Sequence, residues 1–523
     1  MAVDKDLESI QEVRDKVETA RKAQLEFKHF NQEQVDKVVK AMTDAGFAAS
    51  EKLAKLAWEE TGFGKWEDKV VKNQFGTKHI YDSIKDLKTV GVISVEKGGK
   101  ILKIAEPMGV VAGLIPSTNP TSTVMFKSII SLKCRNSIVA SPHPKAVKCT
   151  MEAVKILSEA AKKAGAPDGL IQCLATPTLA GTESLMKHKD VAVILATGST
   201  PMVKAAYSTG NPAYGVGGGN VPAFIERTAN VSKAVSDIIY GTTFDNGTLC
   251  SSEQAIIVDR PIREKVIEEA KRRNAYFLNE EEKIKLETLT FNDGKLNPEI
   301  VGKSAYHIAK LSGIQVPENT SVLIAFTEKV GKAEPLSGEK LSPLLAFYTV
   351  DGWLDGCHKC IELLNFGGIG HSLVIHSNDI EIIMKFALEK PAFRIVVNTP
   401  SSLGAVGFTT SLTPSLTLGV GTWGGSIISE NVSAKHLMNI KTLAFETNPV
   451  NEGFALNSFD LNNNFNNNKE GSFIKQIEER LRDRAGNPKY ETNLRKQEDS
   501  KTKKLGMSIT KDEVDRIIKE FNS

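Results

Sequence analysis

The most informative stretch of the chain is Phe244-Asp245-Asn246-Gly247-Thr248-Leu249-Cys250-Ser251-Ser252-Glu253-Gln254. A cysteine that follows a glycine turn and precedes a polar segment can be held near the surface, where its thiolate can form. The thiolate is the attacking species in cysteine chemistry, and backbone N–H dipoles lower the pKa of the thiol toward neutrality. A lone cysteine after glycine is also typical of a small buried hydrophobic residue. The surrounding sequence has to decide between these two readings.

The composition is that of an ordinary globular protein, because 41% of the 523 residues are hydrophobic and 25% are charged. This length predicts about two to four domains. The formal net charge of +3 gives no reason to expect a nucleic-acid partner. The N-terminus is charged from Asp4 onward, and the apolar runs are too short to cross a bilayer. We therefore expect neither a secretory signal nor a membrane partner.

The six cysteines are sparse for this length, which favours free thiols in a reducing cytosol. Cys357 and Cys360 have CxxC spacing, but no second pair of matching spacing follows them. We interpret them as two positions on a helix rather than as zinc ligands, and we expect no metal.

Periodicity predicts a largely α/β chain. Apolar residues at helical spacing indicate opening helices from Glu12 to Lys40, and two apolar runs around Glu96-Lys97-Gly98-Gly99 indicate a hairpin at 90–105. Short apolar runs then alternate with helical segments from Val110 to Leu195, and a second such set runs from Ala223 to about Glu430. This alternation predicts a doubly wound parallel sheet.

The composition changes after about Pro449. The asparagine-rich run at 462–468 predicts a linker, because it cannot build a core. Beyond Gly506, the pair Thr510 and Glu513 has the spacing of a capping box. An apolar stripe follows at Val514, Ile517, Ile518 and Phe521. A helix this short is marginal alone in water, so its stripe implies a surface on which it docks.

The segment around Cys250 resembles the nucleophile segment of the aldehyde dehydrogenase superfamily, and the resemblance covers about residues 12 to 446. Residues 106–111 and 115–120 are similar to the strand and loop that carry the oxyanion asparagine of that family, here Asn119. Residues 197–200 resemble its cofactor-side turn. Residues 339–343 resemble the segment whose glutamate, here Glu339, holds the nicotinamide ribose.

The resemblance implies an aldehyde dehydrogenase-like α/β fold with a Rossmann-type cofactor domain, an α/β catalytic domain and a small β oligomerisation arm. The implied boundaries are 1–89 with 109–216 for the dinucleotide-binding domain, 217–430 for the catalytic domain, 90–108 with 431–448 for the arm, 449–505 for linker and tail, and 506–523 for the amphipathic helix. The arm implies a homodimer or a homotetramer.

The chemistry that these residues permit is coherent. The Cys250 thiolate attacks an aldehyde carbonyl, and the Asn119 amide with the Cys250 backbone N–H receives the charge on oxygen. One such donor is typically worth ~3 kcal/mol of barrier. Hydride then leaves for a nicotinamide, and a thioester remains on the enzyme. Without the motif order, Asn119 would be read as an Asn-Pro turn residue.

The resemblance also implies the cofactor contacts. NAD is the expected cofactor, and NADP stays open because the lysine that most hydrolytic relatives carry near Ser141 is absent. The implied cofactor-binding residues are Ile115, Pro116, Ser141, His143, Thr197, Gly198, Ser199, Val203, Gly217, Gly218, Glu339 and Leu341.

The residue at 215 decides what releases the thioester. Hydrolytic members of the superfamily carry a glutamate that activates water at the position of Gly215, and glycine cannot accept a proton. A thiol with a pKa around 8–9 supplies its own anion near neutral pH, so coenzyme A (CoA) is the expected acceptor. The glycine run at 217–219 is also readable as a tight turn, and it does not fit the GxGxxG spacing.

Segments 141–144, 370–372, 394–402 and 414–432 resemble the CoA-acylating branch of the superfamily. Within them His371 is expected either to orient the thioester or CoA, or to be a hydrogen-bonded structural residue. The expected reaction converts a short aliphatic aldehyde, most closely propionaldehyde, with NAD and CoA to acyl-CoA and NADH. The alternatives are a hydrolytic aldehyde dehydrogenase, a phosphate-dependent semialdehyde dehydrogenase and a non-enzymic cargo adaptor.

The tail resembles the encapsulation peptides of bacterial microcompartment enzymes, which are short amphipathic helices joined to one terminus by a linker. It implies binding to shell proteins and a cytoplasmic location inside a microcompartment. The tail helix could instead pack on its own domain or on a neighbouring subunit. An N-terminal stripe competes for the targeting role and comprises Leu7, Ile10, Val13 and Val17.

Overall fold

The computed structural model describes residues 4–292, 294–448 and 450. Of these, residues 4–28, 32–94 and 102–443 form one compact unit, and residues 29–31, 95–101, 444–448 and 450 belong to a second. The predicted linker at 462–468 and the predicted amphipathic helix at 506–523 lie outside the described residues. No helix in the described ranges is long and apolar enough to cross a membrane.

The chain opens with helices and a hairpin. The helices are α1 (Lys5–Phe27), α2 (Gln32–Ala48), α3 (Ser50–Thr61), α4 (Trp66–Gln74) and α5 (Ile80–Ile84), the last two joined by a π-helical segment at Phe75–His79. Strands β1 (Gly91–Glu96) and β2 (Ile101–Pro107) follow, which confirms the predicted hairpin.

Strands and helices then alternate as the apolar runs predict. The elements are β3 (Val110–Ile115), α6 (Pro120–Lys133), β4 (Ser137–Pro142), α7 (Val147–Lys163), β5 (Ile171–Cys173), α8 (Leu179–Lys187), β6 (Val191–Thr197), α9 (Thr200–Tyr207) and β7 (Ala213–Val216). The five strands form a parallel sheet in the order β5-β4-β3-β6-β7. The strand order reverses between β3 and β6, which is where doubly wound sheets bind ligands.

The N-terminal stripe belongs to the core of this half of the chain. Val13 and Val17 on α1 are fully buried and pack in one cluster with residues of β3 and β6. Leu7, near the start of α1, is 66% exposed. Two of the four residues in the competing N-terminal targeting stripe therefore belong to the core.

A second alternating set follows. Its elements are β8 (Val221–Ile225), α10 (Val231–Thr243), β9 (Glu253–Asp259), α11 (Arg263–Arg272), β10 (Ala275–Phe277), α12 (Glu280–Thr290), β11 (Phe291–Asn292), β12 (Lys295–Leu296), α13 (Ala305–Leu311), β13 (Val322–Phe326), β14 (Leu344–Val350), α14 (Trp353–Phe366), β15 (Gly370–His376), α15 (Ile380–Leu388), β16 (Ala392–Val397), α16 (Ser401–Gly404) and β17 (Met438–Ala444).

Seven of these strands form a parallel sheet in the order β10-β13-β14-β9-β8-β15-β16, which confirms the second predicted α/β set. Cys357 and Cys360 are both buried on α14, as the helical interpretation of their spacing predicts. Strand β17 joins the hairpin in a three-stranded sheet of order β1-β2-β17. The domain boundaries and the oligomeric role of this sheet stay predictions.

Candidate active site

The nucleophile segment lies between α10 and β9. Asp245, Asn246 and Gly247 all have left-handed backbones, with φ of 48°, 51° and 73°. Glycine adopts this conformation without strain, and Asn and Asp tolerate it best among the other residues. The turn confirms the sequence prediction and leads to Cys250 just before β9. Cys250 is half-buried, whereas the other five cysteines are buried, and all six thiols are free.

A cavity of about 1060 Å³ lies at the carboxyl ends of β3, β4 and β6. It therefore occupies the crevice at the point where the strand order reverses. The predicted site residues that line it are Cys250, Asn119, Ile115, Pro116, Ser141, His143, Thr197, Gly198, Ser199, Gly217, Gly218, Glu339 and Leu341. Val203 and His371 are not among the lining residues, since Val203 is buried on α9 and His371 is buried at the start of β15.

Asn119 points its amide toward the nucleophile segment. It precedes α6, which begins with Pro120, and its side chain makes no hydrogen bond to that helix terminus. Asn119 Nδ2 donates to Thr118 Oγ1 at 3.0 Å and to the Thr248 carbonyl oxygen at 3.3 Å. The Lys72 ammonium donates to Asn119 Oδ1. This network fixes which end of the amide is the donor, because an ammonium can bond only to the oxygen.

The glycine run is explained by close approach rather than by a tight turn. A Cβ at Gly219 would lie 2.2 Å from the Cys250 carbonyl oxygen, and one at Gly218 would lie 2.3 Å from Glu339 Oε2. Neither glycine has a left-handed backbone. Glu339 Oε1 accepts a hydrogen bond from the Gly219 N–H at 2.8 Å. Because Gly218 and Gly219 have no side chains, Glu339 and the nucleophile segment can both pack closely against these two residues.

The expectation of a lowered thiol pKa is wrong for this structure. Burial, reinforced by the Glu339 carboxylate, raises the pKa of Cys250 to about 12, although the Arg394 guanidinium and two backbone N–H groups act in the opposite direction. Burial also raises the pKa of Glu339 to about 7, although the hydrogen bond from the Gly219 N–H acts to lower it. A turn position in the sequence does not reveal how deeply the folded chain encloses the sulfur.

His371 is a neutral imidazole behind the glycine run. It is fully buried, and burial with the nearby Arg394 guanidinium lowers its pKa to about 3. Its Nδ1 lies 3.0 Å from Ser372 Oγ, and its Nε2 has no hydrogen-bond partner among the described residues. A Cβ at Gly219 would lie 3.1 Å from Nδ1, so the ring packs directly behind the nucleophile segment. A role in orienting CoA stays a prediction.

Position 215 contributes no base to the cavity. A Cβ at Gly215, on β7, would lie 2.6 Å from Val203 Cγ1 and 2.7 Å from Tyr207 Oη, so this position faces α9. Among the described lining residues Glu339 is the single carboxylate. Its Oε1 is already hydrogen-bonded to Gly219.

Residues 197–199 line the cavity and lead into the amino end of α9. Ser199 is the N-cap of this helix, but its side chain makes no capping hydrogen bond. Nothing lies within 4 Å of the position that a Cβ of Gly198 would take. Unpaired N–H groups at a helix start bind phosphate. The resemblance implies that Thr197, Gly198 and Ser199 bind the cofactor, and this role stays a prediction; the Gly198 N–H itself donates to the Val216 carbonyl oxygen at 3.4 Å.

Sequence reasoning missed a buried ionic cluster of Lys69, Lys72 and Asp245 behind Asn119. The only sequence signal is the i, i+3 spacing of the two lysines on α4, which is common on solvent-facing helices. The partner aspartate lies more than 170 residues further along the chain.

Comparison with known proteins identifies the family. The profile of the aldehyde dehydrogenase family matches residues 6–281. The succinate-semialdehyde dehydrogenase (acetylating) of Clostridium kluyveri is 38% identical over 434 residues, which cover 83% of this chain and 95% of that protein. The chain therefore belongs to the aldehyde dehydrogenase family, a family of oxidoreductases. The predicted resemblance and fold class are confirmed.

Other relatives are longer. The aldehyde-alcohol dehydrogenase of Clostridium acetobutylicum is 45% identical over 441 residues, covering 83% of this chain and 51% of that protein. The chain thus spans about half the length of the aldehyde-alcohol dehydrogenases that it matches.

Two solved structures share the fold over most of the chain. An acetylating aldehyde dehydrogenase from Geobacillus thermoglucosidasius is 51% identical with a TM-score of 0.85, covering 86% of this chain and 100% of that one. A propionaldehyde dehydrogenase from the fucose utilisation bacterial microcompartment of Clostridium phytofermentans is 30% identical with a TM-score of 0.75, covering 83% and 97%.

Proposed function

We propose that this protein is a CoA-acylating aldehyde dehydrogenase. It converts a short aliphatic aldehyde, NAD and CoA to acyl-CoA, NADH and a proton. The observation that carries the proposal is a cavity in which Cys250 and Asn119 meet and whose described lining holds no carboxylate other than Glu339. Relatives named as acetylating dehydrogenases support the same reaction.

Each residue of the site has its own role in the reaction. Cys250 Sγ bonds to the aldehyde carbon, and the oxygen takes the electron pair of the C=O bond. Asn119 Nδ2 and the Cys250 backbone N–H donate to that oxygen, which stabilises its charge. A nicotinamide would supply the hydride acceptor for this carbon when bound in the cavity, and Glu339 would hold its ribose. The carbon is then an acyl group in thioester linkage to Sγ.

Release of the acyl group needs an acceptor that supplies its own anion. The CoA sulfur attacks the acyl carbon, the bond from that carbon to Cys250 Sγ breaks, and the Cys250 thiolate leaves. Water lacks this advantage because its deprotonation needs a base. The one described carboxylate of the cavity, Glu339, is assigned to the ribose, so we propose that hydrolysis is slow.

We propose propionaldehyde as the substrate and a bacterial microcompartment as the location. A structural neighbour that is a propionaldehyde dehydrogenase from a microcompartment supports both. The apolar stripe of residues 514–521, after a linker, supports the C-terminal segment as the part that binds shell proteins. The buried Val13 and Val17 argue against the N-terminal stripe in this role.

The proposal is tested by following NADH formation from propionaldehyde and NAD under three conditions. CoA, inorganic phosphate or buffer alone is added, and the acyl product is identified by mass spectrometry. We expect sustained turnover and propionyl-CoA only with CoA. Equal NADH rates in buffer with free propionate would establish the hydrolytic reaction, and turnover with phosphate would establish the phosphate-dependent one. Either result overturns the proposal.

A further inference from the structure

Behind Asn119, outside the cavity lining, lies a buried ionic cluster formed by Lys69, Lys72 and Asp245. These residues are 2%, 4% and 0% exposed. The Asp245 carboxylate accepts hydrogen bonds from Lys69 Nζ at 2.9 Å, from Lys72 Nζ, from Thr248 Oγ1 at 2.7 Å and from the Lys65 backbone N–H at 2.7 Å. A buried ion pair is weak evidence for stability, because the desolvation of its charges can exceed their attraction.

The two lysines differ in their second contact. Lys69 Nζ donates to the backbone carbonyl of Thr118 at 3.0 Å. Lys72 Nζ donates to the side-chain oxygen of Asn119 and lies 3.3 Å from Thr248 Oγ1. Among the described residues, Lys72 is the only cation bonded to this amide.

We propose that Lys72 is a positioning residue for the oxyanion donor: its ammonium holds Asn119 Oδ1, which directs Nδ2 toward the nucleophile segment and strengthens its N–H as a donor. This inference rests on the proposed role of Asn119. A cation on an amide oxygen draws electron density from the nitrogen, and hydrogen bonds to charged groups are about twice as strong as neutral ones. The effect is larger in a buried, low-dielectric site.

Asp245 keeps the ammonium in place and charged. Burial lowers the pKa of Lys72 to about 8, and the Asp245 carboxylate opposes that change, so Lys72 stays largely protonated at neutral pH. Asp245 belongs to the same left-handed turn that leads to Cys250. The turn therefore places both the nucleophile and the carboxylate that anchors Lys72.

A double-mutant cycle tests the inference. We expect Asn119→Ala to lower kcat by about 10²–10³-fold, as the loss of an oxyanion donor does. Lys72→Met is expected to lower kcat by about 10–100-fold with little change in KM for NAD, and to have no further effect in the Asn119→Ala background. Lys72→Gln, which keeps a donor without the charge, is expected to fall between Lys72→Met and the wild type.

Lys69→Met is the matched control, because Lys69 is also buried and bonds the same carboxylate, but its second hydrogen bond goes to the Thr118 backbone carbonyl and not to the Asn119 side chain. We expect a loss of stability comparable to that of Lys72→Met and a much smaller loss of kcat. Equal kcat losses for the two lysine variants would make the cluster structural and overturn the inference. The inference is also overturned if Lys72→Met or Lys72→Gln lowers kcat as much in the Asn119→Ala background as in the wild type. Unchanged kcat in Asn119→Ala would instead overturn the oxyanion role itself.

Discussion

Asn119 Nδ2 lies 3.3 Å from the backbone carbonyl oxygen of Thr248, two residues before Cys250. The contact joins the loop after β3 to the nucleophile segment, although the two residues are 129 positions apart in the sequence. The orientation of the amide is thus set by the folded chain before an aldehyde arrives. Both hydrogens of Nδ2 already have an acceptor, Thr118 Oγ1 and the Thr248 carbonyl oxygen, so one of these hydrogen bonds has to be exchanged when the amide donates to the oxyanion.

Glu339→Gln is expected to make the Cys250 thiol more reactive in the free enzyme. The Glu339 carboxylate raises the pKa of Cys250, so its removal lowers that pKa and increases the thiolate fraction at any pH below it. A charge at close range changes a pKa enough to raise the rate of iodoacetamide alkylation at pH 8 by roughly tenfold. The measurement is the pH dependence of alkylation, with the exposed Glu328→Gln as control. An unchanged profile would mean that Glu339 does not act on the thiol.

Gly219→Ala is expected to damage the site directly. The new methyl group would lie 2.2 Å from the Cys250 carbonyl oxygen, which is backbone and cannot move alone. Overpacking of this kind costs about 1–3 kcal/mol, and the displaced nucleophile should lower kcat at least about tenfold. Thermal unfolding and steady-state kinetics check this, with Gly198→Ala as a control for stability because that position is open. Wild-type values for Gly219→Ala would refute the close-approach explanation.

Deletion of the residues after Asn468 is expected to leave kcat/KM within about twofold of the full chain, because the candidate site lies among residues 63–341. Co-purification with co-expressed microcompartment shell proteins should be lost. Val514→Asp in the full chain should have the same effect, whereas Asp515→Asn, outside the predicted apolar stripe, should not. Retained co-purification after the deletion would remove the targeting role of the tail.

The sequence predicted the elements more fully than the site. Alternating apolar runs located β3, β4 and β6. Thirteen of the residues assigned to the site line one cavity, because the order of the motifs indicates which residues stand at the ends of the strands. The pKa of Cys250 was predicted in the wrong direction, since burial depends on packing between distant segments. Lys72 was missed for the same reason: its contact with Asn119 has no local pattern.

The central claim is that Cys250 holds an acyl group that CoA, and not water, removes. The most direct measurement mixes the enzyme with propionaldehyde and NAD without CoA, maps the acylated peptide by mass spectrometry, and then adds CoA, phosphate or buffer. We expect one propionyl group on Cys250, none on the Cys250→Ala variant, and rapid discharge only by CoA. Discharge in buffer as fast as in CoA, or acylation of the Cys250→Ala variant, would contradict the account.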